Sequence, residues 1–240
     1  GTILRSGGNL TAASNVDRLN RFVWYQAVQE QPLTWGATGA NRRMLSVPSS
    51  YSVGPTAQFN FTAFQTCADT AARRELYADS ANWIRTLQFK NCQFGPFQLT
   101  FAESASPPDQ SVIFDNNLFR RAGVWLGTYK TNRTLVLRNS TFFSGSIYTA
   151  SQTAPPSSAA WTVRDNLFDG ATLYGYTPAY VETGFNAYSA ASAWFGGSGN
   201  RLGIVASYLS GPLGNYYYPS SGSRSEEHTS ELQSHLNLVC

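Results

Sequence analysis

Four hexapeptides that share one pattern do most to constrain how this chain can fold. They are FKNCQF (89–94), FDNNLF (114–119), LRNSTF (137–142) and VRDNLF (163–168). Each reads apolar, charged, Asn or Asp, two variable residues, then Phe. Their starts lie 25, 23 and 26 residues apart. A weaker copy, FNFTAF (59–64), precedes them, and a shortened one, GFNAY (184–188), follows.

A β-rich run leads into each hexapeptide. Alternation along these runs puts Leu87 and Phe89, Val112 and Phe114, Leu135 and Leu137, and Trp161 and Val163 on one face. A second apolar run follows each hexapeptide: FQLTF, GVWLG, SGSIYT and GATLYGY. Strand–turn–strand units of this length, repeated without helices between them, predict a solenoid of stacked β-coils. An all-β sandwich is the competing architecture, but nothing in it demands the same motif in every unit.

The motif has a physical reading. Asn and Asp tolerate the left-handed backbone conformation better than most residues. One such residue can turn the chain from one strand into the next. Stacking then places Asn91, Asn116, Asn139 and Asp165 above one another as a corner ladder that hydrogen-bonds along the stack. The closing Phe94, Phe119, Phe142 and Phe168 form an inward aromatic column.

FDNNLF, LRNSTF and VRDNLF resemble the rungs of right-handed parallel β-helix proteins. RFVWYQAVQEQPLTWG (21–36), WTVRDNLFDGATLYGY (161–176), GFNAYSA (184–190) and GPLGNYYYP (211–219) together resemble large, uncharacterised repeat proteins of environmental bacteria. That resemblance implies an extracellular or cell-surface protein and supplies no reaction. The expected fold is all-β, a right-handed parallel β-helix.

Residues 1–58 form an irregular β segment or early rungs, 59–205 the rungs, and 206–223 a Tyr-rich segment. Within the first, VDRLNRFVWYQAVQ (16–29) fits a strand better than an amphipathic helix, because β-formers fill its centre. The last stretch, RSEEHTSELQSHLNLVC (224–240), resembles a translated sequencing-library adapter and is expected to be non-native. It holds both histidines, His228 and His235, and Cys240, so these are not read as metal ligands. The chain starts with Gly and is read as a fragment, with any export signal upstream.

Without that tail, 16 Lys and Arg face 11 Asp and Glu, spread without a basic cluster, which argues against nucleic acid as a partner. No apolar run approaches the ~20 residues of a membrane-spanning helix. Cys67 and Cys92 lack zinc-ligand spacing. They are either a disulfide between adjacent turns or two half-buried thiols. No metal or cofactor is expected.

The inward registers make Lys90, Asp115, Arg138 and Arg164 an outward stripe with rungs about 4.8 Å apart. One reading is a solvated ladder of weak ion pairs. The other is a groove for an acidic polysaccharide, with the arginines clamping carboxylate or sulfate. Trp125 is a further candidate glycan contact, and Trp161 fits the core. Glycoside hydrolysis needs two carboxylates at a defined separation. Asp165 and Asp169 are close in sequence but are expected to diverge. The expected function is therefore an exported scaffold or adhesion-type segment that binds polysaccharide or cell-wall glycan without cutting it. The alternative is a piece of a polysaccharide lyase or glycoside hydrolase.

Overall fold

The computed structural model describes residues 2–3, 8–15, 17–23, 43–46, 54–65, 75–78, 84–101, 110–126, 134–149, 160–175, 181–211 and 214–219. Cys67, the Pro-containing stretches 102–109 and 150–159, and residues 220–240 lie outside them, and with the last the adapter-like tail.

The chain winds as an all-β parallel solenoid, three strands to a coil. The first coil is β1 (Thr2–Ile3), β2 (Asn9–Ala12) and β3 (Asn20–Val23), and the second is β4 (Arg43–Ser46), β5 (Thr56–Asn60) and β6 (Thr62–Gln65). The third is β7 (Glu75–Ala78), β8 (Thr86–Lys90) and β9 (Gln93–Phe94), and the fourth is β10 (Gln98–Phe101), β11 (Ser111–Asp115) and β12 (Leu118–Arg120). The fifth is β13 (Gly123–Leu126), β14 (Thr134–Arg138) and β15 (Thr141–Phe143), and the sixth is β16 (Ser146–Thr149), β17 (Ala160–Arg164) and β18 (Leu167–Asp169). The seventh is β19 (Thr172–Gly175), β20 (Val181–Gly184) and β21 (Ala187–Tyr188). Each coil gives one strand to each of three seven-stranded sheets. The first sheet starts at β1, the second at β2 and the third at β3, so residues 2–46 already supply members of all three.

The hexapeptide is the bend from the second sheet into the third. Asn91, Asn116, Asn139 and Asp165 occupy it with φ of 54°, 56°, 52° and 60°. Phe61 and Phe185 hold the same place at 48° and 55°. The turned amide stays bonded to the coil above: Asn91 N–H donates to Asp115 O at 3.0 Å and Asn116 N–H to Arg138 O at 3.1 Å. A second bend, from the third sheet back to the first, uses Arg121 and Ser144 at φ of 57° and 56°. Gly145 follows at φ +88°, where an added Cβ would sit 2.2 Å from the Ala122 carbonyl oxygen, so the coils close only over glycine there.

Alternation fills the interior. Leu87, Phe89, Val112, Phe114, Leu135, Leu137, Trp161 and Val163 are all buried. Phe94, Phe119, Phe142 and Phe168 stack at 4.6, 4.2 and 5.2 Å between successive ring centroids. Phe64 extends this column below and Tyr188 above, at 5.1 and 5.0 Å. A second column, Phe59, Phe89 and Phe114, stands beside it with spacings of 5.2 and 5.3 Å and meets it edge to face. Ring spacing follows rung spacing because parallel pairing keeps equivalent Cβ atoms in register.

Past the seventh coil, Ser198 and Arg201 bridge to Gly184 and Ala187. Phe195 lies 5.8 Å from Phe168 and is fully buried above the column. The Tyr188 hydroxyl donates to Phe195 O at 3.2 Å, and burial pushes its pKa well above the usual phenol range. An antiparallel hairpin of β22 (Tyr208–Gly211) and β23 (Gly214–Pro219) ends the described chain. It holds Tyr216, Tyr217 and Tyr218. No helix among the described residues is long and apolar enough to cross a membrane.

Candidate functional site

The charged stripe occupies one register position of the second sheet. Lys90, Asp115, Arg138 and Arg164 are direct neighbours across β8, β11, β14 and β17. Three of its four charges are spent within the surface itself. Arg138 Nη2 donates to Asp115 Oδ2 at 2.9 Å, and Asn139 Nδ2 donates to the other oxygen of that carboxylate at 3.1 Å. Asp115 is therefore only 9% exposed, although it belongs to an outward position. The hydrogen bond from Arg138 to Asp115 raises the guanidinium pKa further, so Arg138 stays charged. Arg164 Nε donates to Asp165 Oδ2 at 2.8 Å, its Nη1 lies 3.6 Å from Glu182, and its Cζ sits 5.5 Å above the Phe185 ring. Lys90 is exposed.

The corner ladder is continuous only in part. Asn91 Nδ2 donates to Asn60 Oδ1 at 2.9 Å, and Asn116 Nδ2 to Asn91 Oδ1 at 2.7 Å. Asn139 turns instead to Asp115, because a carboxylate is a stronger acceptor than a neutral amide. Asp165 takes Arg164, while Asp169 accepts from the Tyr208 hydroxyl at 2.7 Å. The two carboxylates thus serve separate partners. Tyr208 also meets Phe143 edge to face at 5.7 Å, which lays the start of the hairpin on the outer side of the third sheet.

The residue one past each corner does more inside the coil than sequence reasoning assigned to it. This column runs Cys92, Asn117, Ser140, Asn166, Asn186 and Asn200. Cys92 N–H donates to Asn117 Oδ1 at 2.8 Å, Asn117 N–H to Ser140 Oγ at 3.1 Å, and Ser140 N–H to Asn166 Oδ1 at 3.0 Å. Asn166 N–H donates to Asn186 Oδ1 at 3.0 Å, and Asn186 N–H to Asn200 Oδ1 at 2.9 Å. The left-handed corner interrupts the parallel ladder and turns the next amide inward. A polar side chain from the coil above then replaces the missing carbonyl. The amide groups of Asn117, Asn166 and Asn186 return a bond to Phe89 O, Leu137 O and Val163 O at 3.1, 2.9 and 3.0 Å. The available signal was the small polar residue at the fourth position of three of the four hexapeptides, Asn117, Ser140 and Asn166, in a place read from the sequence as variable.

Cys92 is a free, buried thiol in this column, and its Sγ lies 3.2 Å from Lys90 O. Burial pushes its pKa from 9.0 up to about 12, against the opposing hydrogen bonds. The neutral thiol is thus favoured by the fold. Its stabilising contribution is complete below pH 9.0 and is lost as pH rises from 9.0 towards about 12, where only the unfolded thiol ionises. We expect Cys92→Ser to flatten the fall in stability over that window, measured by urea titration at stepped pH. An unchanged slope would refute this role for Cys92.

The outward side of the first sheet is different in character. Trp125 on β13, Tyr148 on β16 and Tyr174 on β19 are paired neighbours. Trp125 and Tyr148 lie 4.5 Å apart with planes 54° apart, and Tyr148 and Tyr174 lie 6.4 Å apart at 39°. Tyr174 is 50% exposed. Beside this file run Gln98, Gly123, Ser146 and Thr172, also in register. Trp125 was singled out from the sequence, but its two tyrosine neighbours were not. Aligning GVWL, SIYT and TLYG in one column is the signal that finds them. Trp161 is buried, and Trp194 packs partly buried against the core.

No family model matches the chain, and searches of curated proteins and of solved structures likewise return no match.

Proposed function

We propose that this chain is a segment of an exported, cell-surface scaffold of the adhesion type that holds glycan without cleaving it. One observation carries the reading: a stiff parallel solenoid repeats its outward side chains at the spacing of its rungs, as on the first sheet. A surface with that period suits a polymer with a short repeat. The interior supports the same role. Continuous ring stacks and the buried polar column tie each coil to the next, so an outward side chain is held on a rigid element. The exported location rests on the resemblance to bacterial repeat proteins.

A glycan array probed with the full chain, together with assay of reducing ends and unsaturated products, tests the reading. Retention without product release is the expected result. Product release would favour the lyase or hydrolase alternative, and absence of retention would overturn glycan binding. The two arginines of the stripe already face Asp115, Asp165 and Glu182. We therefore expect the double variant Arg138→Ala/Arg164→Ala to leave retention on anionic glycans unchanged. Loss of retention would restore the acidic-polysaccharide groove.

A further inference from the structure

We infer that the file of Trp125, Tyr148 and Tyr174 is a binding platform for an uncharged, extended polysaccharide lying along the solenoid axis. The inference rests on the glycan-binding proposal above and adds the site and the ligand class.

Three observations carry it. First, the three rings occupy successive rungs, so the file covers roughly 10 Å in two steps of ~4.8 Å. An extended, equatorially linked glycan offers apolar C–H faces at a comparable repeat. Its axis must follow the stack rather than cross it, because the rings are aligned from coil to coil. Second, the rings are tilted against each other by 54° and 39° instead of being stacked flat like the buried phenylalanines. Thr100, the neighbour in register below Trp125, carries no ring and ends the aromatic file there. At the other end Tyr174 is half exposed.

Third, the surroundings select against charge. On β10, β13, β16 and β19 every residue in the two outward register positions is neutral: Gln98 and Thr100, Gly123 and Trp125, Ser146 and Tyr148, Thr172 and Tyr174. An acidic polymer would find no cation within these eight positions to offset its desolvation. Gly123 deepens the strip beside Trp125. A Cβ on that residue would make ordinary van der Waals contact with Ser146 Oγ at 3.6 Å, Phe97 O at 3.8 Å and Gln98 Cγ at 4.0 Å, so a side chain fits into the gap that glycine leaves. Sugar hydroxyls seated in that trough would face the hydroxyls of Ser146 and Thr172. Apolar faces on aromatic rings with hydroxyls on a polar strip is the division a neutral sugar needs.

Isothermal titration of the full chain tests the site, using neutral hexasaccharides of β-linked glucose, mannose and xylose and, as the charged counterpart, hexagalacturonate. At least one neutral hexasaccharide is expected to bind more tightly than hexagalacturonate. Trp125→Ala and Tyr174→Ala should each weaken it about tenfold, the scale of one lost aromatic contact. Gly123→Gln fills the trough, removes no ring and should also weaken binding. Arg138→Ala should leave affinity unchanged.

Neutral-glycan binding that survives both ring variants and Gly123→Gln would overturn this site while leaving the wider proposal standing. Preference for hexagalacturonate would overturn the ligand class. Loss of self-association in Tyr174→Ala, with no saccharide effect, would identify a second copy of the chain as the occupant and overturn the inference. If glycans fail on the array and in solution alike, the wider proposal falls with it.

Discussion

Asn166→Leu should lower the unfolding free energy by about 3–5 kcal/mol, since each buried polar group left unsatisfied costs roughly 1–3 kcal/mol. Asn166 is fully enclosed and works in both directions along the solenoid. Its carbonyl oxygen accepts from Ser140 N–H in the coil below, and its amide nitrogen donates to Leu137 O. Leucine matches it in size but supplies neither bond, so one N–H and one C=O are orphaned where no water reaches. Asn186 loses a donor as well, since Asn166 Nδ2 lies 3.1 Å from its Oδ1. Urea unfolding gives the energy, and hydrogen exchange at the Ser140 amide reports the place. Because coils contact only their neighbours, protection should fall first around the fifth and sixth coils. The corner residue one position earlier provides the contrast. Asn139→Gly keeps the left-handed bend and loses one bond to Asp115, so about 1 kcal/mol is expected. A cost for Asn166→Leu no larger than that would sink the assignment of the inner column as the main polar tie.

Phe119→Ala should cost about 3–5 kcal/mol, the usual range for truncating a buried phenylalanine. The ring lies between Phe94 at 4.6 Å and Phe142 at 4.2 Å, with interplanar angles of 4° and 3°, and Phe114 meets it edge on at 5.5 Å. Neighbours on both sides are fixed by the sheet register, so the column cannot collapse to fill the gap. Phe119→Leu should recover part of the loss. Tyr174→Ala, on the outside, should change stability by no more than about 0.5 kcal/mol. Denaturant midpoints for the three variants decide the matter. Equal effects for Phe119→Ala and Tyr174→Ala would contradict the division between core column and surface file.

The parts legible in advance share a local cause. Alternation at a period of two separates Phe114 from Asp115 without knowledge of any other coil. The left-handed tolerance of Asn and Asp belongs to those residues alone, and it marks positions 91, 116, 139 and 165 as the bend. The closing phenylalanines follow from the same counting. Phe61 and Phe185 take the bend without that local preference, and only the coils around them impose it.

What stayed hidden depends largely on which groups meet across coils. Asn117 and Ser140 look interchangeable with any small residue until the turned amide of the preceding coil is seen to need an acceptor. Asn139 could have joined the asparagine ladder, but the carboxylate of Asp115 outcompetes it. The stripe reads as open charge in one dimension, whereas in three its arginines find acids within 4 Å. Tyr148 and Tyr174 become neighbours of Trp125 only through strand register. The sequence by itself determined the coil period, the bend and the inward face, because those follow from single-residue conformational preference and side-chain alternation. Tertiary structure alone decided the inner polar column, the pairing of the stripe and the aromatic file, because parallel stacking sets which side chains face each other across coils.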